Sequence, residues 1–138
     1  MIILDTNLIS EPLRPKPEAR VLAWLDAQPV ETLFLTAITT AELCAGIALL
    51  PAGKRRSRLQ DSLEQTILPL FNGRTLPFDQ TCAPAYATLL AKSRETGRAI
   101  ATADAYIAAI ALTHNHAVAT RDTAPFKAAG VQVIDPWE

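Results

Sequence analysis

Apolar residues fall along this chain in two rhythms. Met1-Ile2-Ile3-Leu4 and Leu33-Phe34-Leu35-Thr36 are short runs, too short for helices, and they fit strands buried on both faces. Ala117-Val118-Ala119-Thr120 and the closing Val131-Gln132-Val133-Ile134 read the same way. Thr75-Leu76-Pro77-Phe78 is a further short strand, with Pro77 marking its end or a sheet edge. Between these runs the apolar positions recur at helical spacing. Val21, Leu22, Trp24 and Leu25 predict a helix over 17–27, and Leu43, Ile47 and Leu50 predict one over 38–50. Leu59, Leu63, Ile67 and Leu68 predict a third over 54–68. Further helices are expected over 82–96, stopped by Gly97, over 103–114, capped by Thr102, and over 124–129, ended by Gly130. Prolines at 12, 15 and 17 forbid a long helix directly after Asn7. Strands that alternate with helices throughout predict a mostly parallel sheet covered on both faces, as one domain over 1–138.

Acids stand at the ends of this pattern. Asp5 follows the first strand and Asp122 follows the strand at 117–120, while Glu42 and Asp104 fall in the expected first turns of two helices. Ends of parallel strands and starts of helices meet on one edge of such a sheet, which is where ligands bind. The four carboxylates are therefore expected to converge. Each has a local explanation as well: Asp5 as a cap, Glu42 in a capping box with Thr39, Asp104 on the helix dipole, Asp122 in a turn. What favours a shared site is that all four would have to fall on one edge by accident. Carboxylates held together need a cation between them, and an all-oxygen donor set calls for a hard one, Mg²⁺ or Mn²⁺.

Composition narrows the remaining choices. The hydrophobic fraction is 49% and the charged fraction 20%, enough for a core and against disorder. No apolar run reaches the ~20 residues of a membrane span, and Asp5 interrupts anything resembling a secretion signal. Cys44 and Cys82 make no disulfide framework, so a cytoplasmic protein is expected. A net charge of −1 is not that of a bulk polyanion binder, so nucleic-acid contact would need a metal or a local basic patch such as Lys54-Arg55-Arg56-Ser57-Arg58. His114 and His116 end one helix and begin a strand, which is not the spread of a histidine nuclease or a zinc site. No glycine-rich phosphate loop occurs. A phosphatase with Asp5 as nucleophile is disfavoured by Asn7, where a second Asp is usual.

Met1-Ile2-Ile3-Leu4-Asp5-Thr6-Asn7-Leu8-Ile9-Ser10-Glu11, Ala37-Ile38-Thr39-Thr40-Ala41-Glu42-Leu43, Thr102-Ala103-Asp104-Ala105-Tyr106-Ile107-Ala108-Ala109 and Val118-Ala119-Thr120-Arg121-Asp122 resemble the PIN domain, most of all its VapC and FitB toxin branch. Glu64-Gln65-Thr66-Ile67-Leu68-Pro69-Leu70-Phe71, Leu76-Pro77-Phe78-Asp79 and Asp135-Pro136-Trp137 are similar to the FitB type, so the likeness spans nearly the whole chain. The resemblance implies a three-layer α/β domain with a parallel five-stranded sheet flanked by helices. It implies a Mg²⁺- or Mn²⁺-dependent ribonuclease, the toxin of a toxin–antitoxin pair, leaving 5′-phosphate and 3′-hydroxyl ends. Carried over residue by residue, the family's acids fall on Asp5, Glu42, Asp104 and Asp122, with Thr6, Asn7 and Thr120 beside them. Asp5 and Asp104 would hold one ion, and a second would lean on Glu42 and Asp122. The partners implied are RNA and a small DNA-binding antitoxin, with a homodimer inside a hetero-oligomer. A FitB-like module that mainly regulates with its antitoxin is the competing reading. One departure stands out: many VapC proteins carry a further acid just before a Phe, and here Pro125 precedes Phe126.

Overall fold

The computed structural model covers Met1–Glu138. Its strands are β1 (Ile2–Leu4), β2 (Leu33–Thr36), β3 (Thr75–Leu76), β4 (Ala117–Ala119) and β5 (Val133–Ile134). They form a five-stranded sheet in the order β3-β2-β1-β4-β5, and every pairing is parallel. The chain runs outward from β1 to β3, then returns to build β4 and β5 on the other side. The direction of winding therefore reverses between β1 and β4. In open parallel sheets the crevice outside the strand ends at that reversal is where ligands bind.

The helices are α1 (Thr6–Ser10), α2 (Ala19–Ala27), α3 (Ala37–Ala48), α4 (Lys54–Ser62), α5 (Leu68–Leu70), α6 (Ala83–Thr96), α7 (Thr102–His114) and α8 (Thr123–Ala128). Neighbouring residues of a strand face opposite sides, so each central strand feeds two cores. Ile3 and Val118 pack with Leu89 of α6, the Ile107–Ala111 stretch of α7 and Phe126 of α8. Leu4 and Ala119 pack with Leu8, Val21, Leu33, Leu35, Leu43, Leu63 and Phe71 on the other face. The result is three layers, helices on both sides of a sheet. Each Ile or Leu buried this fully contributes about 1.5–3 kcal/mol.

Three local expectations shift. The helix expected from residue 17 begins at Ala19, because Glu18 stays extended and its N–H points at Glu11 Oε2, 3.5 Å away. The helix expected over 54–68 is interrupted by a π-turn at Leu63–Ile67, where the Leu68 N–H reaches the Leu63 carbonyl. Pro69 brings no N–H to this stretch, so an unbroken helical ladder cannot run through it. Thr102 is the first residue of α7 rather than its cap: Ala101 precedes the helix and no side chain caps it. β3 is an edge strand with Pro77 directly after it, as its sequence suggests. No helix is long and apolar enough to cross a membrane.

Candidate active site

Asp5 is the first residue beyond β1 and Thr120 the first beyond β4. Parallel register sets Leu4 beside Ala119 and so brings the two together. Thr120 Oγ1 donates to Asp5 Oδ2 at 2.8 Å, and Asp5 Oδ1 accepts the Thr6 N–H at 2.8 Å. The same Thr120 oxygen accepts the Asp122 N–H at 3.1 Å and the Asn7 amide at 3.4 Å. Its proton is thus committed to Asp5 and its lone pairs to the Asp122 N–H and the Asn7 amide. One fully buried hydroxyl ties two strand ends, α1 and the second acid into a fixed arrangement.

Glu42 reaches this edge differently from the sequence expectation. The cap of α3 is Thr36, whose Oγ1 accepts the Thr39 N–H at 3.0 Å, so no capping box joins Thr39 and Glu42. α3 starts at Ala37, which moves Glu42 out of the first turn. Its side chain is left free to face α1, where it accepts the Thr6 hydroxyl at 2.7 Å. Thr6 therefore serves two acids, Asp5 through its N–H and Glu42 through its hydroxyl.

Asp104 sits in the first turn of α7, half-buried. With Asp122 it lines a cleft of about 510 Å³ whose other walls include Leu89, Ile100, Pro125 and Arg98. Burial pushes the Asp104 carboxyl up to about 6, and the charges of Asp5, Asp122 and Glu42 push in the same direction, with no hydrogen bond opposing them. Asp5 is raised too: burial leads, the Thr120 and Thr6 donors oppose it, and the charges of Glu42 and Asp122 add to it. The only ion pair in the structure is Arg14 with Glu11, so no basic side chain is paired with these acids. They do not close into a ready-made cage, since no three such side chains stand around one point. An open, all-oxygen set of this kind suits a hard cation that keeps several of its own waters.

The other motifs lie elsewhere. His114 and His116, with rings 5.8 Å apart, lie at the start of β4, the opposite end from Asp5. Of the basic run, Arg55 lines a groove with Thr6, Glu42, Ile47, Leu50 and Leu59, whereas Arg56 bonds the Leu50 carbonyl. Phe126 is fully buried, so it packs rather than stacks on a base.

A second group was not visible in the sequence. Glu11 is 3% exposed, and its Oε1 accepts the indole N–H of Trp137 at 3.2 Å. Burial pushes the Glu11 carboxyl up, but Trp137, the Glu18 N–H and Arg14 together outweigh it and hold the group below the usual range. Arg121 lies over the Trp137 ring, its guanidinium carbon 5.6 Å from the centroid. The one signal for this cluster is an acid set among prolines, and nothing local pairs it with an indole at the far end of the chain.

The family model for the PIN domain matches residues 2–131. The plasmid stability protein StbB of Pseudomonas syringae pv. tomato is 62% identical over all of this chain and 99% of its own. The VapC ribonuclease Y4jK of Sinorhizobium fredii is 54% identical over 100% of this chain and 99% of its own. The toxin FitB of Neisseria gonorrhoeae is 56% identical over 99% of each chain. The solved structure of FitAB bound to an IR36 DNA fragment matches with a TM-score of 0.97 at 54% identity, covering 100% of this chain and 96% of that one.

Proposed function

The chain belongs to the PIN-domain family, and from that premise we propose that it is a Mg²⁺- or Mn²⁺-dependent endoribonuclease, the toxin of a toxin–antitoxin pair. The observation that supports this reading is that Asp5, Asp122 and Glu42 lie near enough to Asp104 for their charges to raise its carboxyl, with Asp5 at the point where the sheet reverses its winding. Asp5 and Asp104 would hold a divalent ion, which would supply Lewis-acid charge to a phosphodiester and make water a better nucleophile. The protein's own part is to hold the acids still. Thr6 and Thr120 fix both oxygens of Asp5, and Thr6 orients Glu42. Asp104, near 6, gives up its proton at neutral pH and stays anionic once a cation is near. The cleft beside Asp104 and Asp122 offers room for a nucleotide flanking the scissile bond. The carboxylates would repel an RNA strand, a charge that a cation held by them would offset.

Purified protein, free of any partner, is expected to cut single-stranded RNA with Mn²⁺ and to stop with EDTA. No cleavage of a broad RNA panel would turn the reading toward its alternative, a FitB-like module whose work is to assemble with a DNA-binding partner. That alternative has its own support, because the FitAB relative is seen on DNA.

The partner proposed is a small antitoxin that binds DNA, joined to paired copies of this chain. Its tail would lie along α2 and α3; beside α3, Ile47 and Leu50 line a groove that also includes Glu42. An Arg from that tail suits the acids, because its fork pairs bidentately with carboxylate. Mn²⁺ and the tail are then expected to compete. In a co-purified complex titrated with Mn²⁺, binding of both without competition, together with inhibition that survives loss of the partner's Arg, would sink this mechanism.

A further inference from the structure

Arg121 stands between two residues of the acidic site, Thr120 and Asp122, yet no carboxylate pairs with it. Its backbone is fixed: the N–H donates to Asn7 Oδ1 at 3.4 Å, next to Asp5 and Thr6. Its guanidinium rests on the face of Trp137, 5.6 Å from the ring centre. Trp137 is itself held in place. Its indole N–H is bonded to Glu11 at 3.2 Å, its backbone N–H to Asp135 at 2.9 Å, and its carbonyl accepts from Arg20 at 3.0 Å. Stacking satisfies the flat face of a guanidinium and leaves its N–H edge available. An exposed cation, stiffened rather than neutralised, thus borders a site whose acids repel a phosphate strand.

We propose that Arg121 seats a backbone phosphate of the RNA strand next to the acidic site, with Trp137 as the platform that holds its guanidinium in place. This rests on the ribonuclease reading above. A bidentate guanidinium–phosphate contact fixes the strand's register at the cost of little side-chain freedom, because the stack has already restricted the arginine. Arg121 is in this sense a substrate-binding residue, and Trp137 a positioning residue that acts through it.

The test measures binding of a short fluorescent oligoribonucleotide across a KCl series, with Asp104→Asn in every protein compared so that no strand is cut. Arg121→Ala should weaken binding about tenfold and lower the salt slope by about 0.7, the share of one phosphate on a single strand. Arg121→Lys, which keeps the charge and loses the planar stack, should fall between. Trp137→Leu should weaken binding about threefold with the slope unchanged, while Trp137→Phe should keep the affinity even where it lowers the melting temperature. With Asp104 intact, Arg121→Ala should bind Mn²⁺ as well as the parent chain or better. If Arg121→Ala lowers only the melting temperature, the residue merely clamps the C-terminal turn and the proposal is overturned. A parallel loss of Mn²⁺ affinity would overturn it as well, since Arg121 would then act by shaping the acids. If the chain with Asp104 intact and Mn²⁺ present neither binds nor cuts RNA, the ribonuclease reading fails and takes this one with it; if the Asp104→Asn protein and its Arg121→Ala form bind alike, only the assignment of Arg121 fails.

Discussion

Asp104→Asn is expected to abolish RNA cleavage and to lower Mn²⁺ affinity by at least about ten- to a hundredfold, the loss typical even of residues that only support a metal ligand. The same change should stabilise the protein when no metal is present. The folded chain holds the Asp104 proton more tightly than the unfolded chain, at about 6 against 3.8. Between those two values stability falls as pH rises, and it stays lower above them. At neutral pH the full displacement corresponds to at most about 3 kcal/mol. Solvent around a half-exposed carboxylate screens much of that, so a gain of about 1–2 kcal/mol is expected from the neutral amide, or roughly 3–6 °C in Tm. Melting curves at pH 5 and pH 7.5 should show the gain growing with pH, and added Mn²⁺ should reverse the order of the two proteins. Calorimetry that finds unchanged Mn²⁺ binding in the variant would rule out Asp104 as a ligand. An apo variant that melts lower than the parent would contradict the charge account.

Phe126→Ala is expected to cost about 3–5 kcal/mol, roughly 10–15 °C in Tm, through the lost burial and the cavity left behind. Phe126 is wholly buried, the largest side chain so placed, between α8 and the core built on Ile3, Val118 and α7. It lies one turn beyond Asp122, the residue that directly precedes α8. Emptying its place should therefore loosen the Asp122 turn too, with a smaller fall in Mn²⁺ affinity than Asp104→Asn gives. Phe126→Leu, which refills much of the space, should lose under about 2 kcal/mol. Urea unfolding with an unchanged m-value is the measurement. A loss below about 1 kcal/mol would mean that Phe126 does not anchor the turn.

How much of this could be read from residues alone depended on distance along the chain. The strands were legible because a strand buried on both faces must be apolar throughout, and Ile3, Leu4, Val118 and Ala119 are. The end of β1 was legible for the same reason, at Asp5, whereas β4 stops at Ala119, one residue short of the run read over 117–120. Caps were less so. Thr36 and Thr39 are both hydroxyl residues with a helix ahead of them, and only the strand's true length decides that Thr36 takes the role. That choice released Glu42 to Thr6, a bond across 36 positions that no local spacing encodes. The π-turn at Leu63–Ile67 was hidden in an apolar stripe that fits a regular helix equally well. The link from Glu11 to Trp137 spans 126 positions and joins an acid to an indole, a pairing with no periodic signature. The expectation that Asp5, Glu42, Asp104 and Asp122 share one edge came from topology alone, since any parallel sheet with helical crossovers gathers strand ends there.

The central place of β1 bears on when a growing chain becomes able to act. Asp5 leaves the ribosome near the start of synthesis, but the hydroxyl that orients it lies 115 positions later. At a pace of roughly 5–20 residues per second, on the order of ten seconds separate the two. During that interval β1 has no β4 to pair with, and Asp5 has neither Thr120 nor Asp122 beside it. A shortened product ending between residues 105 and 116 carries Asp5, Glu42 and Asp104 on a sheet that lacks β4 and β5. Interrupted translation would thus release fragments without this arrangement, which exists only in chains finished almost to their last strand.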